Sequence, residues 1–157
     1  MLVVGASGVI GSAAVDRFAA AGWEVVAVSR RRPIVDSGTA FHHVAVDLRD
    51  ERACAEAFGR MTQVTHVVYA ALYEKPGLIE GWRDADQHDV NRHMLANVMG
   101  PLCRAAVLEH VSLLQGAKAY GGHLHPIPVP ARERAPRDPH AVTKRLPLPV
   151  RPGERRQ

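Results

Sequence analysis

The feature that most constrains this chain is the run Gly5-Ala6-Ser7-Gly8-Val9-Ile10-Gly11, set between a short apolar stretch and a helical pattern. Leu2 to Val4 reads as a first strand that ends at Gly5. From Gly8 to about Ala21 apolar residues recur at helical spacing (Val9, Ile10, Ala13, Ala14, Phe18), and Gly22 stops the run. Each glycine has a mechanical reason. Gly5 permits a tight turn, Gly8 lets a pyrophosphate approach the backbone, and Gly11 lets the helix pack close to the strand. The phosphates would rest on the free N–H groups and the positive end of the helix dipole. In this context the turn predicts dinucleotide binding, with a non-binding glycine turn as the bland alternative.

Beyond the turn, short apolar runs alternate with helical patterns, which is how a parallel sheet built from βαβ units appears in sequence. Glu24 to Val28 is a second strand, His43 to Val46 a third, and Asp50 to Arg60 the helix after it. Val64 to Ala71 contains a fourth strand, and Val111 to Leu114 is a fifth. Between them an amphipathic stretch from about Asp86 to Val107 is predicted helical, with a kink expected where Gly100-Pro101 interrupts it. The expected fold class is α/β, a doubly wound, mainly parallel Rossmann sheet of about five strands, short of a complete one.

The residues just past the second strand select the cofactor. An acidic residue there would accept hydrogen bonds from the adenosine ribose of NAD. The chain instead has Ser29-Arg30-Arg31-Arg32. Guanidinium groups can hold a 2′-phosphate through paired, charge-assisted hydrogen bonds, and a serine hydroxyl can add another. This predicts NADP(H) over NAD, with Arg32 read as a solvated neighbour. Asp47, at the end of the third strand, lies where it can meet the adenine amine, and Asp50 is read as a cap on the next helix.

Composition sets the outer bounds. A chain of 157 residues with 46% hydrophobic and 23% charged residues suits one soluble globular domain. No apolar run is long enough for a transmembrane helix, and no basic segment precedes Leu2, so neither membrane span nor secretory signal is expected. Cys54 and Cys103 form no CxxC pair and read as buried or half-buried thiols of a reducing cytoplasm. The net charge of +4 is uneven along the chain. Pro126 to Gln157 carries eight Lys/Arg against three Asp/Glu and eight of the eleven prolines, whereas Met1 to His125 carries twelve against thirteen. Residues 1–125 therefore read as the folded unit and 126–157 as a basic, proline-rich, disordered tail. That tail lacks the aromatic interleaving of a nucleic-acid binder, so no specific nucleic-acid partner is expected.

Five segments occur in order: Gly5 to Gly11, Ser29-Arg30-Arg31, Val46-Asp47-Leu48, Val64-Thr65-His66-Val67-Val68-Tyr69-Ala70, and Leu114-Gln115-Gly116-Ala117-Lys118-Ala119-Tyr120-Gly121. Together they resemble the atypical extended short-chain dehydrogenases/reductases related to plant progesterone 5β-reductase and iridoid synthase, over roughly Met1 to Asp138. The resemblance implies that Ser7, Gly8 and Val9 hold the pyrophosphate and Arg30 with Arg31 the 2′-phosphate. It places Asp47 and Leu48 at the adenine, Ala71 and Leu72 along the middle of the cofactor, and Gln115 and Gly116 just beneath Lys118. Lys118 matches the family's catalytic lysine, which binds the nicotinamide ribose. The implied activity is NADPH-dependent reduction of an enone-type or carbonyl small molecule.

The chain departs from that family after His140. The family's tyrosine hydroxyl, which stabilises an enolate, has no counterpart, because no tyrosine follows Tyr120. The ending Ala141 to Gln157 reads as a reading-frame change followed by early termination, with a natural basic tail as the competing explanation. Two rival functions stay open: a noncatalytic NADP-binding module or redox sensor, and an NAD-dependent epimerase or dehydratase. The absence of a Tyr-x-x-x-Lys pair speaks against the second. His123 and His125 have no third ligand at metal spacing, so no metal site is expected. His42 and His43 are read as bordering the third strand, and Trp23 and Trp82 as packing residues.

Overall fold

The computed structural model describes residues 1–75, 85–122, 125–132 and 134–137. Trp82, His123 and the divergent ending 141–157 lie outside the described residues. Chain order is β1 (Leu2–Val4), α1 (Val9–Ala20), β2 (Val26–Val28), β3 (His42–Val44), α2 (Glu51–Phe58), β4 (His66–Tyr69), α3 (Ala85–Ala105) and β5 (His110–Leu113). A 3₁₀ turn, Ala117–Tyr120, comes next. The five strands form one parallel sheet in the order β3-β2-β1-β4-β5. β1 is central, with β2 on one side and β4 on the other, so the order reverses beside it. In an open α/β sheet that reversal opens a crevice at the carboxyl ends of the strands.

Strand alternation divides the core into two layers. Val3, Val25 and Ala27 face α1, where they pack with Val15 and Ala19. Leu2, Val4, Val28, Val67 and Tyr69 face the other way and pack with Cys54 and Phe58 of α2 and Met94, Leu95, Val98 and Leu102 of α3. Both faces of the sheet are thus covered, which explains why β1 is buried at every position.

The elements differ from the sequence reading mostly at their ends. β2 begins at Val26 and not Glu24, because its register with β1 starts at the Leu2–Val26 pair. β3 spans His42–Val44, so both histidines lie within it. Val46 has left the strand yet remains buried, and the chain turns at Leu48 and Arg49, where the Asp50 N–H donates to the Asp47 carbonyl at 3.0 Å. α3 continues through Pro101 to Ala105 as one helix. Gly22, at φ +84°, ends α1 as expected of a left-handed glycine. Asp50 caps α2 by accepting from the Ala53 N–H at 2.9 Å. Trp23 is partly exposed and packs edge-on against Phe18 and His66.

Candidate functional site

The turn from β1 into α1 is shaped by backbone crowding. Gly5 has φ +85°, and a Cβ there would meet the backbone of Ala71. At Gly11 a Cβ would collide with the carbonyl oxygen of Gly5, so the helix reaches this close to the strand only without a side chain. Gly8 is different. It is extended at φ −84°, ψ 165°, and a Cβ would have only the Gly5 oxygen nearby, at 3.4 Å. As the N-cap of α1 it offers no side chain to the first helical N–H groups, which leaves them for a ligand.

These glycines form one wall of an open cleft of about 590 Å³ at the carboxyl edge of the sheet. Ser7, Val9, Ser29, Arg30, Arg31, Asp47, Leu48, Ala71 and Leu72 line the same cleft, so the predicted cofactor residues from four loops do come together. Gln115 and Gly116 are exposed and are not among its lining residues. Lys118 lies on the 3₁₀ turn Ala117–Tyr120, five residues past the end of β5 and not directly after it.

On the β2 side, Ser29 is buried at 5% exposure and its hydroxyl donates to the Arg31 carbonyl at 2.6 Å. The proton expected to reach a 2′-phosphate is therefore engaged inside the turn. Arg30 and Arg31 are exposed, and Arg32 stacks over the Phe41 ring at 4.6 Å. No carboxylate occupies the end of β2.

Asp47 is clasped by Arg49, with Nε 3.0 Å from Oδ1 and Nη2 2.6 Å from Oδ2. The Arg49 side chain is the main cause of an Asp47 pKa lowered to about 2, against the opposing effect of partial burial. Arg49 also lies 5.9 Å from the centre of the Tyr73 ring and lines the cleft, a position the sequence reading passed over.

Helix α3 holds the cleft's loops through three further residues that sequence reasoning missed. Asn91 accepts from the Tyr73 N–H and donates to the Tyr73 carbonyl, both at 2.8 Å. Gln87 accepts from the Lys75 N–H at 2.7 Å, and Asn97 donates to the Leu48 carbonyl at 2.9 Å. Gln87 and Asn91 are buried at 4% and 3% exposure. Their spacing of four, in line with Met94, Leu95 and Val98, was the available signal: polar side chains on an apolar stripe need partners.

Residues 1–146 match the NAD dependent epimerase/dehydratase family. The chain belongs to that family. A short chain dehydrogenase, gsfE of Penicillium aethiopicum, is 30% identical over 146 residues, covering 86% of this chain and 37% of the relative. The chain thus spans little more than a third of that relative's length. Among solved structures, WbmG of Bordetella bronchiseptica in complex with NAD and UDP superposes with a TM-score of 0.64, at 23% identity over 88% of this chain and 43% of that one. UDP-glucose 4-epimerase of Bifidobacterium longum in complex with NAD⁺ and UDP gives a TM-score of 0.69 at 19% identity, over 88% and 42%. These likenesses show the Rossmann fold. The epimerase alternative fits the family match as well as the reductase does.

The cleft suits the family's dinucleotide: a glycine wall that tolerates no Cβ at two positions, an open helix N-terminus, and polar loops on the far side. Among the described residues no group of three or more side chains could hold a metal ion. No described helix is long and apolar enough to cross a membrane.

Proposed function

We propose that this chain is the NADP(H)-binding part of a reductase, of the atypical extended type that resembles progesterone 5β-reductase and iridoid synthase. The observation that carries the reading is the pairing, in one cleft, of the glycine wall with Arg30 and Arg31 where an NAD enzyme would have a carboxylate. The helix N-terminus would take the pyrophosphate, with Ser7, Gly8 and Val9 closest. Two guanidinium groups at the end of β2 would take the 2′-phosphate. Asp47 and Leu48 would border the adenine, and Ala71 and Leu72 the middle of the cofactor. Gln115, Gly116 and Lys118 would stand at the nicotinamide end, Lys118 on the ribose.

When bound, NADPH supplies a hydride for an enone-type or carbonyl small molecule. The chain's own part is to bind, orient and discriminate. With no tyrosine after Tyr120, the 157 residues are expected to bind NADPH without reducing an enone. Robust turnover that is lost in Tyr120→Phe would contradict this. The folded unit is proposed to end near residue 125. Calorimetric titration with 2′,5′-ADP and with ADP tests the adenosine half of the site directly. Tighter binding of the 2′-phosphorylated fragment is expected, and equal binding would refute the NADP assignment.

A second reading, an NAD-dependent epimerase or dehydratase, draws on the family match itself and on the NAD held by the two solved relatives. It requires tighter binding of NADH than of NADPH, the reverse of the first reading.

A further inference from the structure

We infer that His43 is a positioning residue for cofactor choice, acting through Ser29 on the turn that carries Arg30 and Arg31; this rests on the NADP reading above. His43 Nε2 lies 3.1 Å from the Ser29 carbonyl oxygen and 3.4 Å from Ser29 Oγ. A carbonyl can only accept, so Nε2 carries the hydrogen and the imidazole donates. The Ser29 hydroxyl cannot return that bond, because its own hydrogen goes to the Arg31 carbonyl at 2.6 Å. A third tie comes from the neighbouring residue, where the Ser29 N–H donates to the Val44 carbonyl at 3.3 Å.

The chain of contacts therefore runs from β3, through the imidazole, to the peptide of Ser29 and on to that of Arg31. Ser29 is almost wholly buried, so water competes poorly for these bonds. Arg30 and Arg31 are exposed and, among the described residues, make no salt bridge that would hold them in place. Their shared origin is what the protein fixes. Two flexible guanidinium side chains that start from an anchored turn lose less freedom on meeting a phosphate than two that start from a loose one. NAD, which has no 2′-phosphate, gains nothing from that anchoring. The consequence is specific: loss of the imidazole donor weakens NADPH and spares NADH.

The test titrates NADPH and NADH by fluorescence into the full chain, into His43→Leu and His43→Gln, and into Ser29→Ala. His43→Leu is expected to weaken NADPH roughly tenfold while NADH stays within about twofold. His43→Gln, which keeps an N–H donor, is expected to recover most of the difference. Ser29→Ala is expected to lose NADPH selectively as well, and it carries the comparison if His43→Leu does not fold. Unchanged NADPH affinity in His43→Leu, equal losses for both cofactors in either the alanine or the leucine variant, or a His43→Gln as weak as His43→Leu would overturn the inference. Equal affinities in the unsubstituted chain would refute the NADP reading before any variant is compared.

Discussion

The carboxamide of Asn91 closes both backbone groups of Tyr73, accepting from the N–H and donating to the carbonyl, each at 2.8 Å. A helix on one face of the sheet thereby sets the loop after β4 that forms one lip of the cleft. Asn91→Leu fills the space but leaves both backbone groups unpaired, each at a cost of about 1–3 kcal/mol. The expected loss in urea unfolding is about 2–4 kcal/mol, with faster hydrogen exchange at the Tyr73 and Lys75 amides. A loss within experimental error would show that the pair holds nothing.

Gly8 and Gly11 separate binding from folding. Gly11→Ala drives a methyl into the Gly5 carbonyl, with backbone and not a flexible side chain in the way. It should lower the melting temperature markedly, by the cost of overpacking, about 1–3 kcal/mol or more. Gly8→Ala has room within the protein, and an alanine N-cap costs the fold no more than about 1 kcal/mol. Gly8 lines the cleft where the pyrophosphate is proposed to sit, so cofactor binding should fall while the melt hardly moves. Equal effects of the two substitutions on stability would contradict this geometry.

The Asp47–Arg49 pair predicts a narrow pH dependence. The Asp47 pKa falls from 3.8 to about 2 in the folded chain. A depressed carboxylate contributes stability above its unfolded pKa and loses it as pH falls through the folded one. Both side chains are substantially exposed, at 51% for Arg49 and 37% for Asp47, so the contribution is small. Asp47→Asn should melt slightly below the parent at neutral pH, and the gap should close between about pH 4 and pH 2. A gap that persists unchanged to pH 2 would exclude the pairing.

The two thiols should differ in reactivity. Burial pushes the Cys54 thiol up to about 11, with the nearby Asp50 and Asp47 charges adding to the rise. Cys103 is only half-buried, and its pKa is raised mainly by burial, with Arg104 opposing. Under native conditions a chromogenic disulfide reagent should titrate Cys103 first and reach Cys54 only on unfolding. Rapid modification of Cys54 in the native chain would show the α2 side of the core to be open.

Most of the fold was legible because its signals are local and repeated. Strand, glycine turn and helix succeed one another within Leu2 to Ala20. Strand ends were less legible, since pairing register decides them: Glu24 looks like part of β2, but the paired register starts at Leu2–Val26, and the Glu24 carbonyl accepts from the Met1 amine instead, at 3.0 Å. The cleft's lining was readable from motif residues. The residues that hold those loops were not, because Asn91 and Tyr73 are eighteen residues apart and Asn97 and Leu48 forty-nine. Such contacts exist only once α3 has docked on the sheet. The Ser29 hydroxyl was misread for a different, local reason, as its proton goes to a backbone carbonyl two residues away.

The proposed selection of NADP by Arg30 and Arg31 is tested most directly by calorimetry with NADP and NAD on the unsubstituted chain and on Arg30→Ala with Arg31→Ala. Tighter binding of NADP is predicted, each arginine contributing about 1.5–3 kcal/mol, with NAD affinity nearly unchanged in the double variant. Equal affinity for the two dinucleotides in the unsubstituted chain, or tighter binding of NAD, would contradict that selection.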